Sequence, residues 1–117
     1  MSYTRYTRNF IDTMPFSNTC VDMQLVATTA LSYTVPGTSK QLFRASFRCD
    51  TGETVWVALN GTAVLPTSGV ATAVSNQEFI PLFEPKFVKG GDTLSFISPG
   101  TPHVGVSFLL LQDTTGM

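Results

Sequence analysis

Phe43-Arg44-Ala45-Ser46-Phe47-Arg48 places an apolar residue at every second position, and Val55-Trp56-Val57-Ala58-Leu59 does so again after the polar stretch Asp50-Thr51-Gly52-Glu53. A period of two is the mark of a β-strand with one buried face. Asp bonds readily to its own backbone and Gly tolerates positive φ, so the intervening residues read as a turn and the whole as a β-hairpin. With Arg48 opposite Thr54, Phe47 falls opposite Val55, Ala45 opposite Val57 and Phe43 opposite Leu59, which makes one continuous apolar face. A shift of one residue would mix apolar and charged groups on both faces. This register sets Trp56 on the outer face with Arg44 and Arg48 as diagonal neighbours, close enough for a guanidinium to stack on the indole.

Outward from this pair, the chain continues in short extended runs. Met23, Leu25 and Ala27, then Leu31, Tyr33 and Val35, predict one long or two short strands with a slip of register near Thr28 and Thr29. Asn60-Gly61 is a turn, and the small residues from Gly69 to Ser75 suggest a strand or loop packed closely on another backbone. Pro81 and Pro85 confine Glu78 to Phe87 to a sheet edge or an irregular crossing. Lys89-Gly90-Gly91-Asp92 reads as a hairpin turn into Thr93–Ser98. Val104–Gln112 is the most hydrophobic strand, with Val106, Phe108 and Leu110 on one side and Leu109 and Leu111 on the other. Its second half is expected to be covered on both faces.

No stretch carries the apolar spacing and caps of a helix. The expected fold is all-β: an antiparallel β-sandwich or jelly-roll-like barrel of about seven or eight strands. Residues 21–113 form the domain, 1–20 an extended N-terminal arm and 114–117 a short tail. The arm spreads Tyr3, Tyr6, Phe10, Met14 and Phe16 among polar residues, an arrangement suited to docking aromatics into grooves rather than to packing on itself.

Charged residues are 13% of the 117-residue chain, against roughly 25% in typical domains. Thr and Ser fill the difference, leaving a surface weakly defended against association. The net charge of −1 offers no general attraction to phosphate backbones, so nucleic acid is not an expected partner. No segment supplies the roughly 20 apolar residues of a membrane helix, and the N-terminus lacks the pattern of a secretory signal. A reducing compartment follows, with Cys20 and Cys49 as free, buried thiols.

His103 is the single histidine and sits between Pro102 and Val104 with no nucleophile elbow nearby. A Ser-His-Asp triad built on it has no identifiable partners. Glu53, Glu78 and Glu84 are isolated carboxylates near turns. Gly90-Gly91-Asp92 lacks the Lys and Ser/Thr of a phosphate loop. No metal, cofactor or catalytic residue is assigned. The candidate interface residues are Tyr3, Tyr6, Phe10 and Phe16 of the arm with Arg44, Arg48 and Trp56, since Trp and Arg are enriched where binding energy concentrates.

Phe87-Val88-Lys89-Gly90-Gly91-Asp92-Thr93-Leu94-Ser95-Phe96, the strand Val104–Gln112 and the Val55-Trp56-Val57-Ala58-Leu59-Asn60-Gly61 run together resemble small β-sandwich structural proteins of tailed-phage virions. The resemblance spans about residues 40 to 112. Jelly rolls of the tumour-necrosis and complement type share the Gly-Asp turn. The resemblance implies a non-enzymatic capsid decoration or cement protein, or a head or tail appendage, made in the host cytoplasm and present in the virion. It also implies a homo-oligomer, with a trimer as the first expectation, whose arm clamps a capsid or other virion protein. The alternative expectation is a receptor- or carbohydrate-binding module of a fibre or tail, with Trp56 or a tyrosine stacked on a sugar ring.

Overall fold

The computed structural model describes residues 15–80 and 84–116. Eight strands are present: β1 (Thr19–Gln24), β2 (Leu31–Thr34), β3 (Gln41–Cys49), β4 (Trp56–Leu59), β5 (Gln77–Phe79), β6 (Lys86–Lys89), β7 (Thr93–Ile97) and β8 (His103–Asp113). They form two four-stranded antiparallel sheets, ordered β1-β8-β3-β6 and β2-β7-β4-β5. The fold is all-β, as the alternation predicts, and no α-helix occurs among the described residues. Each strand of the first half pairs with its mirror in the second half: β1 with β8, β2 with β7, β3 with β6, β4 with β5. The chain thus runs as one long ribbon doubled back on itself and folded over into two layers.

Between the layers lies a core of alternate residues. Phe43, Ala45 and Phe47 of β3 and Val104, Val106 and Phe108 of β8 meet Val57 of β4 and Leu94 and Phe96 of β7. Phe108 stacks on Tyr33 with centroids 5.9 Å apart and takes the edge of Phe43 at 6.3 Å. Leu25 and Val35, just beyond the ends of β1 and β2, are also buried in this core. Thr28, with φ of +59°, sits in the passage from the first sheet to the second. The expected slip near Thr28 and Thr29 is therefore a change of sheet.

The expected β3–β4 hairpin does not form. Both edges of β3 are occupied, by β8 and β6, so β4 has no edge of β3 left to pair with and crosses to the other sheet. Phe47, Val55 and Val57 do point inward, but they meet across the sandwich rather than along a ladder. The Gly90-Gly91-Asp92 turn likewise links β6 to β7 across the two sheets instead of closing a hairpin within one. Asp92 closes it by accepting the Lys89 N–H at 2.9 Å. Residues 69–75 form a loop that is exposed except at the half-buried Val74, rather than a closely packed one.

Strands β5 and β6 are the edge strands on one side of the sandwich, as the prolines require. Glu78 and Lys86 project from these two edges and meet at 3.0 Å, spanning an opening of ≈ 340 Å³ that reaches Phe47, Val57 and Leu94. Charges that close an edge in this way oppose strand-to-strand aggregation. Hydrogen bonding to Glu78 raises the Lys86 pKa above its ordinary value.

Candidate functional site

The two outer faces of the sandwich differ. On the β2-β7-β4-β5 sheet, Trp56 and Ala58 of β4 and Ile97 of β7 point outward, and the chain covers them itself. Residues 62–65 cross this face as a strap. Ala63 donates its backbone N–H to Ser95 Oγ at 2.9 Å. The Gln77 side chain accepts the Val64 N–H and donates to the Val64 carbonyl, both at 2.9 Å. Ala58, Ala63 and Ile97 form a second small core with Trp56, Ala30 and Leu65 around it. Trp56 packs on Phe79 with ring centroids 5.3 Å apart.

No such strap crosses the β1-β8-β3-β6 sheet among the described residues. Its outer face is built in rows. Asp22, Gly105 and Arg48 are register partners across β1, β8 and β3; Cys20, Ser107 and Ser46 make the next row; Leu109 and Arg44 follow, with Phe87 of β6 beside Arg44. Two shallow depressions of ≈ 300 and ≈ 320 Å³ run along it and share Ser46, Arg48 and Ser107. Their floor is low because Gly105 has no side chain and Ser107 and Ser46 have short ones. Pro15, Phe16 and Ser17 line one end with Arg44 and Leu109. Phe16 is 99% exposed, Phe87 71% and Leu111 45%. β8 is central in its sheet, but Leu109 is only half-buried and Leu111 exposed, so its second half is not covered on both faces.

Strand alternation thus brings Arg44 and Arg48 together with Phe16 on one surface. Trp56 lies on the opposite surface of the molecule, so the expected Trp56–Arg44–Arg48 patch does not exist. Tyr3, Tyr6 and Phe10 lie outside the described residues. Sequence reasoning did not pick out Phe87, Leu109, Asp22 or Gly105 as parts of this face. The apolar residues on both sides of β8 were the available signal for Leu109. Arg44 and Arg48 have no carboxylate within ion-pair distance among the described residues.

At the end of the face, Asp50 Oδ2 lies 3.0 Å from His103 Nδ1 and accepts the His103 backbone N–H at 2.9 Å. These hydrogen bonds, the backbone one first, hold the Asp50 carboxyl below its ordinary range. Cys49 is close by in sequence, but burial, then the charges of Asp50 and Glu53, push its thiol pKa up. A protonated thiol is a poor nucleophile. Both cysteines are free, as expected; Cys20 is exposed rather than buried, because it points outward from an edge strand. Among the described residues no group of three or more His, Cys, Asp or Glu could hold a metal ion, and no helix is long and apolar enough to cross a membrane.

No family model, curated protein or solved structure matches the chain. The outer face of the β1-β8-β3-β6 sheet is accordingly weighed on its own chemistry. Two arginines, exposed aromatics and a low, wide floor make a surface suited to another protein surface rather than an enclosed pocket for a small molecule.

Proposed function

We propose that the protein is a non-enzymatic structural component of a tailed-phage virion, which decorates or cements a capsid by binding its protein lattice. The observation that carries this reading is the asymmetry of the sandwich: one outer face is crossed by the chain's own strap, and the other presents Arg48, Phe16 and Phe87 to solvent beside the half-buried Arg44 and Leu109. Exposed apolar area rimmed by polar groups marks interaction sites. The pairing of β1 with β8, β2 with β7, β3 with β6 and β4 with β5 supports reading the sandwich as a jelly roll, an architecture used by viral shell proteins and also by lectins. That support is fold-level analogy. The sugar-binding alternative loses its leading platform, since the Trp56 ring is engaged by Phe79.

The test is protein mass spectrometry of purified particles produced from the genome that encodes the chain. The reading expects this chain in multiple copies per particle, and its loss when Arg44 and Arg48 are replaced together by Glu. Particles that lack the wild-type chain would overturn it.

A further inference from the structure

The depression at the Phe16 end of the β1-β8-β3-β6 face holds two guanidiniums and no carboxylate. Its ≈ 320 Å³ are lined by Arg44, Ser46 and Arg48 of β3, by Ser107 and Leu109 of β8, and by Pro15–Ser17. Neither arginine has an ion-pair partner among the described residues, and neither has Lys89, which stands on β6 opposite Leu42. The whole chain carries 7 Lys and Arg against 8 Asp and Glu, so this cluster of cations is a local excess. The acids of the face gather at its other end, around the second depression. There Asp22 Oδ1 lies 3.2 Å from the point where a Cβ on Gly105 would stand, and Asp50 is bonded to His103. Arg44 and Arg48 are four residues apart on one strand, which at ~3.3 Å per residue sets them about 13 Å apart.

We propose that this depression takes an extended acidic segment of the capsid protein, running along β3 with carboxylates at positions i and i+4. This rests on the reading of the face as an association surface and names what it recognises. An extended chain has the same repeat as β3, so carboxylates four residues apart meet Arg44 and Arg48 in step. Each planar guanidinium can donate two parallel N–H bonds to one carboxylate. Residue i+2 of the segment points the same way and enters the low floor at Ser46 and Ser107, whose hydroxyls offer hydrogen bonds, while Leu109 and Phe16 supply apolar contact. A helix rises only ~1.5 Å per residue, so carboxylates four residues apart on it would stand about 6 Å apart and reach one arginine at a time.

The acidic end of the face fixes the register. A shift of two residues toward the end of β3 brings a carboxylate up to Asp22 and Asp50, and like charges disfavour it. The opposite shift leaves Arg48 facing no carboxylate. Nucleic acid is the competing polyanion, but its binding draws strength from neutralising many phosphates. Two arginines match about two of them, and Asp22 and Asp50 close the track beyond Arg48. A protein segment gains from Leu109 and Phe16 as well. A contact of this size belongs to the weak, reversible class of interfaces.

Co-sedimentation of the purified full chain with particles made without it tests this. The wild type should bind, and less tightly as salt rises from about 50 to about 500 mM. The double variant Arg44→Gln/Arg48→Gln should bind roughly tenfold more weakly or worse, since two exposed ion pairs are lost, and an unchanged melting temperature would show that the fold is intact. Arg44→Lys and Arg48→Lys keep the charge and should each bind within about tenfold of the wild type. A carbodiimide then joins each introduced amine to the carboxylate it touches. Mass spectrometry should place the two crosslinks on Asp or Glu residues four apart in one segment of the capsid protein. Crosslinks at another spacing, a variant that binds without crosslinking, loss of binding by either Lys variant, or indifference to the Gln pair each overturns the proposal. So does binding that nuclease treatment of the particles abolishes. If the wild type binds particles and any of these occurs, the partner chemistry is wrong and the association reading stands; if the wild type does not bind, both fall.

Discussion

Asp50 Oδ2 accepts the backbone N–H of His103 at 2.9 Å and lies 3.0 Å from the Nδ1 of the same residue, so one carboxylate ties the end of β3 to the start of β8. Its pKa is lowered from the ordinary 3.8, chiefly by the hydrogen bond from the His103 backbone and then by that from the ring. Folding therefore favours the ionised form. The contribution is complete above pH 3.8 and is lost as the pH falls below that value toward the depressed one. Asp50→Asn should flatten the acid limb: its melting temperature should fall less than the wild type's between about pH 5 and about pH 2. Parallel curves for the two proteins would show that this contact carries none of the acid sensitivity.

Gly90 and Gly91 are adjacent and should respond very differently to alanine. A Cβ on Gly90 would run into the backbone N and O of Thr38 and come within 2.6 Å of the Gly37 carbonyl carbon. Backbone cannot swing aside as a side chain can, so Gly90→Ala should cost about 4 kcal/mol or more, a loss seen only where a substitution breaks a specific constraint. Gly91 has φ of +88° but open space around its Cβ position. Gly91→Ala should cost only the left-handed penalty of about 1–2 kcal/mol. Urea unfolding of the two variants gives the comparison, and equal midpoints would contradict it.

Trp56→Ala should lower stability by about 2 kcal/mol, below the cost of emptying a fully buried site, because the ring is half-buried. It removes the contact with Phe79 and loosens the cover of Ala58 and Ile97. Oligomeric mass and particle incorporation should be unchanged, since the indole lies on the sealed face. A variant that folds with wild-type stability yet fails to assemble would place the association surface on the wrong sheet.

Cys49 should react slowly with iodoacetamide. Its thiol pKa is raised by burial, with the Asp50 and Glu53 charges adding to the effect, so its thiolate fraction near pH 8 is below that of an ordinary cysteine. Mass spectrometry of timed alkylation should show the rate rising with pH later than for a free thiol, and Asp50→Asn should speed it. No Cys20–Cys49 crosslink should form under mild oxidation. β8 lies between their strands, and the two side chains point to opposite faces of the sheet.

The alternation at residues 43–48 and 55–59 identified the inward side chains correctly, because a period of two records which face is buried whatever strand lies alongside. The same signal cannot distinguish strands that are neighbours in a ladder from strands that face one another across a core. Phe47 and Val57 reach the same interior either way, and that ambiguity produced the hairpin and the false neighbourhood of Trp56 and Arg44. The expectation of a sheet edge or an irregular crossing over Glu78–Phe87 matches β5 and β6, the edge strands at its two ends, since a missing N–H is a local fact. The strap left no periodic trace because two side chains hold it, Ser95 accepting the Ala63 N–H and Gln77 imitating a strand for Val64. The Asp22–Gly105–Arg48 row was illegible for a related reason: it exists only once β8 has entered between β1 and β3.

That entry orders events in time. The first sheet has the last strand of the chain at its centre, so during synthesis β1 and β3 wait without their common neighbour until residues 103–113 have been made. Neither can be completed by local contacts, and pairings this distant in sequence form slowly, on the order of milliseconds to seconds. A nascent chain would therefore leave the facing edges of β1 and β3 unpaired until residues 103–113 arrive. Loss of β8 would remove the middle of a sheet, where loss of an outer strand would only trim its edge.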